Sequence, residues 1–300
     1  MKIVVTGGTG FLGRSLVEAL LDKGHEVNVV TRNPASASLP GGARAVSWSD
    51  LATAVDGADA VVNLAGETIA QRWTAPAKAR IVGSRARAAE QVGAALRAAK
   101  RRPGVLVNAS AVGFYGNRGD EEVSEASGPG TGFLAETTVA WEEAARRAVP
   151  EGVRLVLLRI GIVLGEEGGA LSKMLLPFRL GLGGPLGSGK QWMPWIHRDD
   201  LVALLVAVLE DPRFEGPVNA TAPAPVTMKE FASTLGQVLH RPSFAPAPAF
   251  AIRAAMGEMA ALVLDGQRVL PAKASSLGFR FRFDKLETAL RKILDRPSSG

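Results

Sequence analysis

The chain has 300 residues, of which 47% are hydrophobic and 21% are charged, so it is a folded protein long enough for an α/β domain with a smaller lobe. It contains no cysteine, which excludes disulfides, thiolate metal sites and cysteine nucleophiles. The net charge of +6 favours acidic ligands such as phosphates but is too small and scattered to predict nucleic-acid binding. The sequence shows no signal-peptide pattern and no apolar run of about 20 residues, so we expect a cytoplasmic protein with no membrane partner.

Short β-rich runs alternate with helical patterns in the first half of the chain, which is the pattern of βαβ units around a parallel sheet. Strands are predicted at residues 2–6, 26–30, 44–47, 60–64, 105–109 and 154–158, and their nearly continuous apolar character indicates helices on both faces of the sheet. Helical periodicity predicts helices at 11–23, 76–99, 133–148, 171–180, 199–209, 228–239, 250–264 and 284–294. These elements predict an α/β fold with a doubly wound parallel sheet.

The segment VVTGGTGFLGRSL joins the first predicted strand to the first predicted helix. Gly7 permits a tight turn, Gly10 lets the backbone approach a pyrophosphate, and Gly13 allows close packing of helix on strand. The N-terminus of the helix adds free N–H groups and a partial positive charge. Because the glycine triplet stands at the first turn of a βαβ unit, it predicts a Rossmann-type dinucleotide site.

The end of the second predicted strand indicates which dinucleotide is bound. NAD-specific sites usually have Asp or Glu there to bind the ribose 2′-hydroxyl, whereas this chain has Thr31, Arg32 and Asn33. The planar guanidinium of Arg32 can pair with a 2′-phosphate, so NADP(H) is favoured over NAD. Asp50, after the third strand, is a candidate for the adenine edge and equally for the N-cap of the next helix.

The composition changes after residue 165, where glycine and then proline and alanine become frequent. We therefore expect residues 1–165, with returning segments to about residue 220, to form the NADP-binding Rossmann domain. Residues 166–245 are predicted to form a smaller substrate lobe interleaved with it, and residues 246–296 a small C-terminal helical domain. Residues 297–300 are predicted to be a frayed tail.

Several stretches carry a family resemblance: TGGTGFLG, NLAG at 63–66, SA at 110–111 and LRIGIVLG at 158–165. Together they resemble the extended short-chain dehydrogenase/reductase superfamily, which includes nucleotide-sugar epimerases and dehydratases. NLAGETIAQRW, SAVGFYGNRGDE, GGPLGSGKQWMPWIHRDDL and the C-terminal LGFRF are similar to its "epimerase family" subgroup, which ends in a small domain of unknown function. The cofactor contacts that this pattern implies are Gly7, Thr9, Gly10, Phe11, Leu12, Gly13, Thr31, Arg32, Asn33, Asp50, Leu64, Ala65, Gly66, Glu67, Ser110 and Ile162.

The chain departs from the family at its proton-transfer residues. In the wider family a Ser or Thr polarises the substrate oxygen, a Tyr acts as acid or base, and a Lys four residues later lowers the pKa of that Tyr. Ser110 matches the serine, but Tyr115 is the only tyrosine and matches a pocket-wall position, and no lysine occurs from residue 101 to 172. The helix positions that align with the missing pair hold Leu134 and Thr138, or Phe133 and Thr137 if the alignment shifts by one residue.

Other residues are candidates to move the proton. Glu67 directly follows NLAG, and partial burial there would raise its pKa and suit it to acid or base chemistry, although it could equally start a helix or bind a ribose hydroxyl. Tyr115 could turn its phenol toward the site, and Glu136 could act from one turn away or simply face solvent. His197 is better explained as structural, and three scattered histidines predict no catalytic metal.

These observations predict an NADP(H)-dependent oxidoreductase or nucleotide-sugar epimerase-like enzyme that works without the Tyr-x-x-x-Lys pair. Its catalytic candidates are Ser110, Glu67, Tyr115 and Glu136, and its partner is a small-molecule substrate that could be anionic or nucleotide-linked. We expect a monomer or a homodimer. The alternative is a catalytically silent NADP-binding sensor or regulatory protein. A family member that had lost its activity while keeping the cofactor site would be expected to lack both the Tyr and the Lys.

Overall fold

The computed structural model describes residues 1–165 and 168–295. Its strands are β1 (Lys2–Thr6), β2 (Glu26–Thr31), β3 (Arg44–Ser47), β4 (Ala60–Asn63), β5 (Val105–Ala111), β6 (Glu122–Val123), β7 (Arg154–Ile160), β8 (Ile162–Leu164), β9 (Trp192–Met193), β10 (Trp195–His197), β11 (Gly216–Ala220), β12 (Val226–Thr227) and β13 (Arg268–Val269). Its helices are α1 (Phe11–Asp22), α2 (Leu51–Val55), α3 (Ala75–Ala98), α4 (Phe133–Ala148), α5 (Gly169–Arg179), α6 (Arg198–Glu210), α7 (Met228–Val238), α8 (Ala249–Met256), α9 (Ala261–Leu264), α10 (Ala272–Ser276) and α11 (Leu286–Leu294).

Seven strands form one sheet in the order β11-β7-β5-β4-β1-β2-β3, and every neighbouring pair in it is parallel. The chain runs outward from β1 to β3 and then returns to the other side of β1 at β4. Open α/β sheets bind ligands at such a reversal, outside the carboxyl ends of the two strands. The predicted doubly wound parallel sheet is confirmed, and its switch point lies between β1 and β4.

Helices cover both faces of this sheet, which is why its strands are apolar along nearly their whole length. Ile3 and Val5 point to a core that includes Leu16 of α1 and Leu205 of α6. Val4, between them, points to the opposite core, together with side chains of α2 and α3. The two-residue side-chain period of a strand therefore divides β1 between two cores.

A third hydrophobic core lies outside the sheet and joins distant parts of the chain. It contains side chains of α5 and α7, such as Phe231 and Leu235, and also Leu286 and Leu290 of α11. The last helix therefore packs into the same core as the segment that follows β8. This core spans the predicted domain boundary near residue 246, and the division into domains stays a prediction.

The C-terminal segment also pairs with the first half of the chain. β13 pairs in parallel with β6, and the Leu270 N–H donates to the Val123 carbonyl oxygen at 2.9 Å. The segment predicted over 250–264 is helical but divided: α8 ends at Met256, the next residue Gly257 has a φ of +59°, and a 3-10 turn over Gly257–Ala260 leads into α9. The predicted tail at 297–300 lies outside the described residues.

Candidate cofactor and active site

The turn between β1 and α1 is built around its glycines. Gly7 has a φ of +72°, a backbone conformation that L side chains rarely adopt. A Cβ on Gly13 would lie 2.2 Å from the Gly7 carbonyl oxygen, so only glycine lets the first turn of α1 pack against the end of β1. A Cβ on Gly7 would itself lie 2.8 Å from the Leu64 carbonyl carbon, so the turns after β1 and β4 touch at the switch point.

The first residues of α1 leave donors free for an anion. Gly10 is the N-cap and has no side chain to cap the helix, and the N–H of Arg14 makes the first helical bond, to the Gly10 carbonyl at 2.9 Å. The N–H groups of Phe11, Leu12 and Gly13 therefore lie outside the helix's own ladder. Thr9 and Gly10 are exposed, so solvent and ligands reach this point. The turn fits a dinucleotide pyrophosphate, while the individual contacts stay predictions.

The residues predicted to bind the adenosine end lie along the carboxyl ends of β2 and β3. Arg32 and Asn33 are exposed immediately after β2, and the Asn33 N–H donates to Thr31 Oγ1 at 3.5 Å. Asp50 occupies the N-cap position of α2, but its side chain caps no helical N–H and instead accepts from Ser47 Oγ at 2.6 Å. Arg32 therefore has an open approach for a 2′-phosphate.

A row of buried polar side chains supports the loop after β4. Thr6 Oγ1 donates to Asn63 Oδ1 at 2.6 Å, and Asn63 Nδ2 donates to Asn108 Oδ1 at 2.6 Å, which links β1, β4 and β5 in register. The Ala65 N–H donates to Asn63 Oδ1 at 3.3 Å, and the Leu64 N–H to the Thr6 carbonyl at 3.1 Å. These bonds hold the predicted cofactor residues 64–66 beside the phosphate turn. Ile162, the predicted contact on β8, is half-buried.

Glu67 ends that loop in a more polar setting than we predicted. Its side chain is 33% exposed, and its carboxylate accepts from Gln71 Nε2 at 2.9 Å and from Arg80 Nε at 3.2 Å. The hydrogen bond from Gln71 and then that from Arg80 lower the pKa of Glu67. The raised pKa expected from partial burial is therefore wrong, because these bonds outweigh desolvation. Arg85 Nη1 donates to the Glu67 carbonyl oxygen at 2.9 Å and anchors the loop to α3.

Ser110 and Tyr115 belong to one hydrogen-bonded cluster, which we call the buried polar ring: Ser110, Glu142, Arg159, Tyr115 and Asn219. Ser110 is 2% exposed, and its Oγ donates to Glu142 Oε1 at 2.7 Å. The fully buried Tyr115 hydroxyl donates to Asn219 Oδ1 at 2.7 Å and accepts from Arg159 Nη1 at 3.0 Å. Burial raises the pKa of the Tyr115 phenol, against the opposing effect of Arg159.

Arg159 and Glu142 form the centre of the ring, and neither was among the predicted site residues. Arg159 Nε lies 2.8 Å from Glu142 Oε1, and Nη2 lies 3.0 Å from Oε2, which is a bidentate pair. Ser110, Arg159 and Asn219 stand in one register row across β5, β7 and β11. The charged Arg159 in the otherwise apolar run LVLLRIG was the sequence signal, because a buried charge requires a partner.

The aligned positions of the missing Tyr and Lys lie on α4. A Cβ on Gly113 would meet Leu134 Cβ at 3.3 Å, so the tyrosine position is an apolar contact with the turn after β5. Thr138 Oγ1 donates to the Leu134 carbonyl, and Glu136 is exposed in the first turn of α4. The ring of Phe133 packs edge-on against Trp73 at 4.8 Å. Glu136 is therefore exposed, whereas Leu134 and Phe133 make apolar contacts with Gly113 and Trp73.

His197 is at the base of α6, where it caps the helix. It is 4% exposed, its ring stacks on Phe283 with centroids 3.9 Å apart, and its Nδ1 accepts from the Asp199 N–H at 3.0 Å. These contacts favour the structural interpretation of His197.

None of the helices in residues 1–165 and 168–295 is long and apolar enough to cross a bilayer.

The family model of the NAD dependent epimerase/dehydratase family matches residues 3–220, and a domain of unknown function (DUF1731) matches residues 247–293. The chain belongs to the NAD-dependent epimerase/dehydratase family. Its curated relatives in this family include Epimerase family protein SDR39U1 homolog, chloroplastic, of Arabidopsis thaliana, which is 45% identical over 98% of the chain and 87% of the relative. Epimerase family protein YfhF of Bacillus subtilis is 39% identical over 98% of each. The predicted subgroup, with its C-terminal domain of unknown function, is confirmed.

Solved structures of similar proteins have the same fold. The crystal structure of human epimerase family protein SDR39U1 (isoform 2) with NADPH has a TM-score of 0.92 and 38% identity, and the match covers 99% of this chain and all (100%) of the human chain. MoeE5 in complex with UDP-glucose and NAD has a TM-score of 0.78 at 22% identity, covers 98% of each chain, and supports the fold alone.

Proposed function

We propose that this protein is an NADP(H)-dependent oxidoreductase with an epimerase-like site, acting on a small carbonyl or alcohol that is anionic or nucleotide-linked. The observation that carries the proposal is the glycine-built start of α1 at the switch point, with Arg32 exposed at the end of β2. The human relative crystallised with NADPH supports the choice of cofactor. We further propose a cytoplasmic protein that works as a monomer or a homodimer.

Different residues of the chain would bind different parts of NADP(H). The N–H groups at the start of α1 would bind the pyrophosphate, and Arg32 would bind the 2′-phosphate that distinguishes NADP(H) from NAD(H). Residues 64–67 would line the ribose and nicotinamide, held in place by the polar row below them. The cofactor supplies hydride exchange at its nicotinamide ring.

Glu67 is the best-placed group for proton transfer. Its lowered pKa keeps the carboxylate ionised at neutral pH, so it would accept a proton rather than supply one. Gln71 and Arg80 hold that carboxylate in one orientation. Ser110 and Tyr115 are less suited to this role, because both hydroxyl protons are donated to other members of the buried polar ring.

A second candidate function is a catalytically silent NADP(H)-binding sensor or regulatory protein. The specific observation in its favour is the buried polar ring, which uses the hydroxyl groups of Ser110 and Tyr115 for structure. The apolar contact of Leu134 with Gly113, at the position of the missing tyrosine, points the same way. Both candidates share the NADP(H) site and differ only in turnover.

The cofactor assignment is tested by titrating the protein with NADPH and NADH and following nicotinamide fluorescence. We expect NADPH to bind more tightly than NADH, and Arg32→Ala to weaken NADPH about tenfold, the size of one charge-assisted hydrogen bond. The matched control is Arg44→Ala, which removes an exposed arginine from the start of the neighbouring strand β3, opposite Asn28 and away from the carboxyl ends of the strands where Arg32 lies. Equal or negligible binding of both cofactors would overturn the assignment.

Turnover distinguishes the two candidate functions. NADP⁺ reduction is followed with a panel of small alcohols, including nucleotide-linked sugars, for wild type and Glu67→Gln, because alcohol oxidation is the direction in which the Glu67 carboxylate accepts the proton. Turnover by the wild type that falls in Glu67→Gln supports the enzyme and the role of Glu67. Tight NADPH binding with no turnover across the panel supports the silent protein.

A further inference from the structure

The strands β8 and β10 end beside the start of α1. β8 and β10 pair in parallel, with Leu164 opposite His197, so the chain leaves them side by side at Gly165 and Arg198. A Cβ on Gly165 would lie 3.7 Å from Arg198 Cβ and 2.7 Å from Cζ of the Phe11 ring. The Arg198 guanidinium carbon is 5.7 Å from the centre of that ring. Arg198 therefore stands beside the first residue of α1, at the edge of the candidate cofactor site.

The charge of Arg198 is in an unfavourable place for an unliganded protein. Arg198 is the first residue of α6, and it adjoins Phe11, the first residue of α1. Both helix starts carry partial positive charge, so they favour anions and disfavour a cation. An anion between the guanidinium and the start of α1 would turn this repulsion into attraction on both sides.

The side chain of Arg198 is only partly satisfied by its neighbours. Its Nε is buried and has no hydrogen-bond partner among the described residues. Asp199 Oδ1 is 3.8 Å from Nε, which is beyond hydrogen-bond distance, and that carboxylate is itself 38% exposed. Asp200 is directed elsewhere, because it accepts the Arg282 and Phe283 N–H groups. A buried guanidinium N–H without an acceptor is costly, so the arrangement favours an anionic ligand.

We propose that Arg198 binds the pyrophosphate of NADP(H), opposite the N–H groups at the start of α1. This rests on the proposed function and adds a cofactor contact from the second half of the chain. The position selects the pyrophosphate over the 2′-phosphate, because in this fold the pyrophosphate lies at the first helix while Arg32 stands at the end of β2. The planar fork of a guanidinium suits two phosphate oxygens.

The test separates the two phosphate groups of the cofactor by using two probes. Isothermal titration calorimetry measures NADPH and adenosine 2′-monophosphate, which has the 2′-phosphate and no pyrophosphate. We expect Arg198→Ala to weaken NADPH roughly tenfold to a hundredfold and to leave adenosine 2′-monophosphate unchanged. Arg32→Ala is expected to weaken both probes.

The control for lost charge is Arg213→Ala, beyond the other end of α6. Arg213 is paired with Asp211 at 2.6 Å and its side chain is 64% exposed, so its removal should leave both affinities unchanged. Arg198→Lys keeps the charge without the planar fork and should recover part of the NADPH affinity. Thermal unfolding of each variant shows whether it is folded.

The outcomes separate this inference from the proposed function. Failure of the wild type to bind NADPH would defeat both. Tight NADPH binding that is the same in wild type and folded Arg198→Ala would overturn the inference and leave the cofactor assignment standing. Equal weakening of both probes by Arg198→Ala would also overturn it, because the effect would not pass through the pyrophosphate.

Discussion

Replacing Glu142 by Gln is the sharpest perturbation of the buried polar ring. The Glu142 side chain is fully buried (0% exposed) and accepts four hydrogen bonds: one from Ser110, two from Arg159 and one from Arg146. The substitution keeps the shape of the side chain but removes its charge. One of its oxygens becomes an NH2 group that faces donors, so Arg159 is left as a buried cation with a neutral partner.

The magnitude follows from the burial of the pair. Arg159 is 3% exposed in its side chain, and breaking a buried ion pair from one side costs about 3–5 kcal/mol because the remaining charge is uncompensated. The adjacent Glu143 supplies the matched control. Its pair with Arg147 spans 3.6 Å, with side chains 55% and 72% exposed, so Glu143→Gln should cost less than about 1 kcal/mol.

Chemical denaturation followed by circular dichroism gives the free energy of unfolding of both variants. The slope of that free energy against denaturant concentration is compared with wild type, because a changed slope indicates a changed unfolding transition. Arg159→Met and the double variant Glu142→Gln/Arg159→Met complete a cycle, and the double variant should lose less free energy of unfolding than the sum of the single losses. A loss in Glu142→Gln no larger than that in Glu143→Gln would refute the argument. Additive losses in the cycle would show that the two side chains do not interact energetically.

Three further outcomes are expected. Gly13→Ala places a Cβ 2.2 Å from the Gly7 carbonyl oxygen, so the start of α1 must shift and NADPH affinity should fall more than about tenfold by titration; unchanged affinity would contradict this. Gln71→Ala removes the largest cause of the lowered pKa of Glu67, so its carboxyl should titrate at higher pH by NMR, and an unmoved titration would reject that cause. Burial raises the pKa of Asp200, so the folded protein keeps that proton to higher pH and loses stability as pH rises from the unfolded to the folded pKa. Wild-type stability relative to Asp200→Asn should therefore decline with rising pH across that window in denaturation series, and a rising difference would reverse the argument.

The fold was predictable because its signals are local. The apolar runs of β1 to β5 and the helical periods between them depend on residues close together in sequence. The glycine turn could also be predicted, because the geometry that Gly7 and Gly13 permit depends on a short stretch of sequence. The break at Gly257 was missed because the helical pattern continues on both sides of it.

The proton-transfer half of the site was harder to predict because it depends on tertiary contacts. The direction in which Ser110 points follows from its register opposite Arg159 and from the approach of Glu142 on α4, 32 residues away. The pKa direction of Glu67 depends on Gln71 and Arg80, which reach it only when the loop folds against α3. Burial alone predicts a raised value, and the hydrogen bonds reverse it.

The pairing of β6 with β13 has a consequence for synthesis on the ribosome. Val123 lies opposite Val269, so 146 residues must be added to the nascent chain before β6 receives its partner. At roughly 5–20 residues per second, that interval is about 7–30 seconds. Glu125 lacks one of its hydrogen-bond donors for a similar interval, because its Oε1 accepts from the Lys273 N–H at 3.2 Å as well as from the Asn219 N–H. The edge beside the buried polar ring therefore closes only after residues 268–273 have been synthesised, and a chain stopped before them would be released with that edge open.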